Sequence, residues 1–330
     1  VSPTVDCGRK YWIAWENGML GATAPVSPVT SPPTFCLPSR GAGDRVASVI
    51  TRVTAGVVTP CGGCKDRQAV LNHWIPSKVP PIEPVTLDAA TRHLTFHVWP
   101  VRGYGAWQWN CDWLIKHADL FNGRRLVAIA VSPEADSPDV VREYLKDFTT
   151  DFLIVRNSPT LREVESWVPM LSLLEPYQSP QDVTFSCHSK AVRHRIKESE
   201  SAGSTLFRWT RLMYETCLDW AAVRPLLEQH GTVGSFRRFA SHMQSRSGFG
   251  PWHYSGSFYW WRNRDAFGRN WRYVPSKFFG TGAWIGIMFK SEEAGVLFAD
   301  DCGDLYVDQE MAKWESEYAK RRMSENTTTN

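Results

Sequence analysis

The chain has 330 residues, 43% of them hydrophobic and 22% charged, with a formal net charge of +3; this suits one large domain with appendages or two modest ones and excludes a fibrous or wholly disordered class. Lys and Arg form no continuous basic stripe, so nucleic acid is not an expected partner, and no apolar run approaches the roughly 20 residues that a membrane span requires. With no signal-peptide pattern at the start either, the expectation is a cytoplasmic protein with reduced thiols, whose 16 Trp are its one departure from ordinary usage.

Residues 1–40 are a leader rich in Pro, Ser and Thr, including the run Val-Ser-Pro-Val-Thr-Ser-Pro-Pro from Val26, a composition that holds neither helix nor paired strand. Residues 41–75 predict a small helical module: Val46, Val49, Ile50 and Val53 have helical spacing, and Val70, Leu71 and Trp74 continue it after a Cys-Gly-Gly-Cys turn. Cys61 and Cys64 in that turn are candidate Zn²⁺ ligands. A structural zinc site takes four ligands, so Cys7, Cys36, His73 or a partner chain would have to complete it. Residues 76–91 carry Pro76, Pro80, Pro81 and Pro84 and read as a linker.

The main domain is expected over residues 92–310. Leu94 to Val98, Leu126 to Val131, Phe152 to Val155 and Val183 to Ser186 are short apolar runs, and helical patterns sit between and after them. Leu161, Val164, Val168, Leu171 and Leu174 form one such pattern, and Leu206, Trp209, Met213, Cys217 and Trp220 another. This alternation predicts an α/β fold with a mostly parallel sheet flanked by helices. Residues 311–330 are a charged, polar tail.

Ligands of such sheets bind beyond the carboxyl ends of the strands, which selects three loops. Arg102 to Asn110, reading Arg-Gly-Tyr-Gly-Ala-Trp-Gln-Trp-Asn, follows the first strand; Gly103 and Gly105 could let backbone amides approach a phosphate. The dinucleotide fingerprint is incomplete, with Gln108 in place of its third Gly. Cys187 to Arg195 follows the fourth strand and brings His188, Lys190 and Arg193 to its end, a cationic pocket suited to a departing diphosphate. No Asp-x-Asp occurs in the chain. Fixed positive charge is thereby favoured over a metal, although a lone carboxylate with waters still leaves Mg²⁺ or Mn²⁺ a candidate at the donor site. Trp252 to Arg262 mixes aromatic rings with Ser, His, Arg and Gly256, as sugar sites do.

The order of His-Ser-Lys after a strand, a Trp-rich helix through Trp209, Met213 and Tyr214, and then His-Tyr-Ser-Gly-Ser-Phe-Tyr-Trp-Trp-Arg resembles bacterial and phage-associated glycosyltransferases distantly similar to rhamnan synthesis F proteins, over about residues 92–308. The segment Cys-Gly-Gly-Cys-Lys-Asp-Arg is similar to a Cys-x-x-Cys-Lys-x-Arg unit fused to such enzymes. The resemblance implies a fold of the single Rossmann-like (GT-A) type, a nucleotide-sugar donor and a glycan or other hydroxyl acceptor. It implies His188 and Lys190 near the donor and Ser255, Gly256, Trp261 and Arg262 in the acceptor or donor cleft. The loops themselves add Gly103, Gly105, Asn110 and Arg193 as candidate donor contacts and His253 and Tyr254 as candidate acceptor contacts. Relatives carry an acid after Gly-Thr where this chain has Gly282, which leaves Glu292 and Glu293, or Asp300, Asp301 or Asp304, to supply a carboxylate. The alternative is a non-catalytic carbohydrate-binding or adaptor protein.

Overall fold

The computed structural model describes residues 81–194, 205–239, 250–277 and 279–328. The leader, the Cys61–Cys64 module and the first five residues of the linker, 76–80, lie outside the described residues. The described residues fall in one unit of the chain, Pro81–Asn330, an α/β domain on one mixed eight-stranded sheet.

The four apolar runs each form a strand: β1 (Thr91–Val98), β2 (Arg125–Val131), β3 (Phe152–Arg156) and β4 (Asp182–His188). They are parallel, in the order β3-β2-β1-β4. Their connections are helices α1 (Ala106–Lys116), α2 (Pro138–Tyr144) and α3 (Val164–Leu174). Beyond β4 come α4 (Thr205–Cys217), α5 (Trp220–Gln229) and β5 (Thr232–Phe239), then the short strands β6 (Trp252–Tyr254) and β7 (Tyr259–Arg262). Helices α6 (Asn263–Phe267) and α7 (Gly280–Met288), strand β8 (Ala294–Ala299) and helix α8 (Asp308–Thr328) complete the domain. Strand β7 runs antiparallel to both β4 and β5, and β8 lies parallel to β5. Strands β1, β4, β5 and β8 therefore point the same way.

Alternation along the strands makes two cores. Leu94, Phe96, Val98, Val127, Ile129, Phe185 and Trp260 face α1, α4 and α5. Leu126, Ala128, Tyr259 and Trp261 face α3, α6 and α7 on the other side. Aromatic residues of β7 are thus buried on both faces, as a central strand demands. Leu87 and Ala90, within the segment read as linker, are buried in the first core. The segment read as a tail is helical to Thr328, because Met311, Trp314 and Tyr318 recur at helical spacing and pack on that core.

Candidate functional site

The chain leaves β1 toward β2 and β3, then returns to place β4 on the other flank of β1. The loops after β1 and β4 consequently diverge, and the crevice between their carboxyl ends is the topological switch point where ligands bind in such sheets. Backbone geometry marks the same end. The described non-glycine residues with positive φ are Arg162 (48°), Ala191 (61°), Ser257 (60°) and Asp301 (55°). They follow β3, β4, the end of β6 and β8 respectively. Such conformations cost about 1–3 kcal/mol each and collect at functional sites.

His188 ends β4 opposite His97 of β1. Its Nδ1 lies 2.8 Å from Glu163 Oε1 and its Nε2 3.0 Å from the Gly256 carbonyl oxygen. Both partners are acceptors, so satisfying them together takes both ring N–H groups. His97 Nδ1 lies 2.8 Å from Ser166 Oγ, whose hydroxyl donates to the Glu163 backbone oxygen at 3.0 Å. That pattern assigns the proton of His97 to Nδ1. Burial pushes His97 down to about 4, with Glu163 pulling against it and His188 adding to the shift. Burial alone would raise Glu163, but the charge and hydrogen bond of His188, with His97 behind them, hold it at about 2.

Two residues beyond His188, Asn110 of α1 clamps the Lys190 backbone. Its Oδ1 accepts from Lys190 N at 3.2 Å and its Nδ2 donates to Lys190 O at 2.9 Å. Asn110 is itself buried and fixed by Ala106 O at 2.7 Å and Tyr214 OH at 3.1 Å. The Lys190 ammonium lies 4.0 Å from the centroid of the Trp209 ring, with no hydrogen bond or ion pair to it among the described residues. Burial pushes this amine down to about 8 against the pull of Glu163. Gly103 and Gly105 have φ of 80° and 73°, and Gly105 caps α1 with no side chain over the helix's first amides. Arg193 stacks on Trp99 at 4.6 Å and pairs with Glu134 at 2.7 Å.

The turn between β6 and β7 closes the crevice on the far side of His188. Gly256 has φ 92°, and a Cβ there would lie 2.9 Å from Met213 Cε and 3.1 Å from Trp209 Cζ2. A side chain there would have to displace Met213 and would strain a backbone held at positive φ. Gly282 is buried in α7, and a Cβ there would lie 3.0 Å from Ser257 Oγ. That position therefore faces the same turn. Loop 300–307 completes the rim, where Tyr306 meets Trp209 edge-on at 5.3 Å.

Other residues proposed for the site lie elsewhere. Trp261 offers no stacking face: it is fully buried against Phe267 and Trp284 and donates to Ser186 Oγ at 2.9 Å. Arg262 pairs with Val183 at the opposite end of β4, where its guanidinium bonds Asp265 and the Glu83 carbonyl. Glu292 and Glu293 precede β8, also at the opposite end, and Glu293 is held by Arg269. Their side of the sheet carries the amino ends of the parallel strands, so the chain's topology keeps them from His188. His253, Tyr254 and Ser255 are buried beside β5. Burial, helped by the charge of Arg238, pushes His253 down to about 4, and Tyr254 OH donates to Gly295 O at 2.6 Å. Cys61 and Cys64 lie outside the described residues.

The reading from sequence missed Glu163, His97 and Ser166. Ser-Pro-Thr before Glu163 is a loop-to-helix signal, but nothing local shows which strand end that helix start will meet. Among the described residues no group of three or more His, Cys, Asp or Glu is placed to hold a metal. The carboxylate closest in the network, Glu163, is engaged by His188, so the donor set here suits an anion better than a divalent cation. Compared with known protein families and with curated proteins, the sequence matches none.

Proposed function

We propose that this protein is a glycosyltransferase that moves a sugar from a nucleotide-sugar donor to a glycan or other hydroxyl acceptor, binding the donor diphosphate by fixed positive charge. The observation that carries the reading is the placement of His188 and Lys190 at the carboxyl end of β4, across the switch point from the uncapped start of α1. In the transfer, an acceptor oxygen bonds to the anomeric carbon as the bond to the diphosphate oxygen breaks. Negative charge then grows on the leaving diphosphate, and preorganised donors aimed at it stabilise the transition state. Lys190 supplies charge, and the α1 amides supply N–H groups. Glu163 holds the His188 ring in place.

The α/β sheet, parallel but for β6 and β7, supports a fold of the single Rossmann-like type. A proton must leave the acceptor hydroxyl, and position 282 carries no acid to take it. We assign that role to Asp301, which follows β8 at the crevice end of the sheet. A non-catalytic carbohydrate binder would need the rings of β6 and β7 at a surface, yet Trp252, Trp260 and Trp261 are buried.

A thermal-shift screen with nucleoside diphosphates and nucleotide sugars, run in chelator and again with Mg²⁺ or Mn²⁺, tests the reading. One nucleotide class should raise Tm in chelator alone, and Lys190→Ala should abolish the rise. If no nucleotide stabilises the protein under either condition, the assignment fails.

A further inference from the structure

Several of the buried indoles of this domain are hydrogen-bonded. Trp252 donates to Phe289 O, Trp260 to Cys217 O, Trp261 to Ser186 Oγ and Trp284 to Trp271 O, at 2.7 to 3.0 Å. Trp209 is as buried, only 2% exposed, but its Nε1–H, like that of Trp167, has no hydrogen-bond partner among the described residues. Leaving a buried donor unpaired costs about 1–3 kcal/mol, so such a group calls for an explanation.

Its surroundings supply one. The Lys190 ammonium sits over the same ring, 4.0 Å from its centroid, and has no anionic partner among the described residues. Gly256 meets the ring at Cζ2, the edge next to the nitrogen. Across the turn, the Gly256 carbonyl is taken by His188 Nε2. One residue pair thus carries two donors, a charged one over the ring and a neutral one at its edge, with no acceptor for either among the described residues.

We propose that Lys190 Nζ and Trp209 Nε1–H together form an oxyanion site that receives one phosphoryl group of a diphosphate. This rests on the reading of the crevice as a donor site and adds Trp209 as a direct ligand contact. Tyr306, 62% exposed and packed edge-on against Trp209 at 5.3 Å, is the side chain that moves aside as the anion enters.

The probe is inorganic pyrophosphate, titrated in chelator into full-length protein labelled with ¹⁵N at the Trp indoles. The Trp209 indole signal, identified as the one missing in Trp209→Phe, should shift on titration. Lys190→Met leaves the ring in place and should abolish that shift. Trp209→Phe should weaken pyrophosphate binding about tenfold, the loss of one hydrogen bond to a charged group. If Trp209→Phe fails to fold, sequential assignment identifies the signal and Lys190→Met carries the test. Pyrophosphate that binds without moving the Trp209 signal, or does not bind, overturns the inference. Nucleotides that bind while Trp209 stays still would sink this site but not the transferase reading. Pyrophosphate seated on Trp209 in a protein that binds no nucleotide would do the reverse.

Discussion

An ammonium withdrawn from water and given only the face of an indole is less stable than the same group in the unfolded chain. Lys190 is in that position, pushed from 10.5 to about 8 by burial. Between those values the unfolded chain binds more protons than the folded one, so this residue makes stability rise with pH across that window. Lys190→Met should remove the effect and raise Tm at pH 7 by about 2–4 °C, the shift that about 1 kcal/mol gives in a domain of this size. Thermal melts from pH 7 to pH 10 check it: an unchanged Tm at pH 7 would mean that the amine is well solvated. The pH dependence has the same sign at Glu163, whose carboxyl falls from 4.5 to about 2 beside His188, but there the ionised form is the one the fold stabilises. Its contribution is present above 4.5 and is lost as pH falls toward 2. Glu163→Gln should therefore cost about 1.5–3 kcal/mol at neutral pH, as losing a hydrogen bond to a charged group does. Urea titrations should find the gap to wild type closing between pH 4.5 and pH 2. Gln keeps the shape of the side chain, so a gap that persists in acid would point to packing instead.

The two short strands β6 and β7 show what sequence can and cannot reveal at the level of elements. Strands β1 to β4 were legible because each is short and rich in Val, Ile, Leu and Phe between helical patterns. In β7 the same logic produced Tyr-Trp-Trp-Arg, but large rings serve a core and a sugar platform alike, and the choice depends on whether the strand is central. Its place between β4 and β5 decides for the core. Helix α3 was legible from its spacing, whereas the meeting of Glu163 with His188 depends on two elements packed from 25 residues apart and leaves no local trace. His188, Lys190 and Gly256 were found because residue type alone, a cation or a glycine among rings, set them apart. Trp261→Ala should accordingly destabilise the domain by about 3–5 kcal/mol, the cost of deleting a buried Trp, seen as a lower urea midpoint. Gly256→Val should lose pyrophosphate and nucleotide binding through the clash with Met213 and Trp209. A Gly256→Val protein that binds normally would show that the turn can move away from α4.

At the scale of the molecule, the unit Pro81–Asn330 holds the whole sheet and two cores, one on each face. Described residues from Leu87 to Met311 supply its buried side chains, and α8 seals one core with Met311, Trp314 and Tyr318. A sheet covered on both faces by helices of its own unit does not require a metal outside it to fold. The double substitution Cys61→Ser with Cys64→Ser should therefore leave the main unfolding transition in place, with a Tm within about 2 °C of wild type, less than about 1 kcal/mol shifts a domain of this size. Chelator should have equally little effect on it. A zinc site coupled to the fold behaves otherwise, because binding free energy then becomes folding free energy and chelation unfolds the protein. Circular dichroism melts of wild type, wild type in chelator and the double variant separate the two cases: a loss of the main transition on chelation would show that Cys61 and Cys64 hold a metal on which that unit depends.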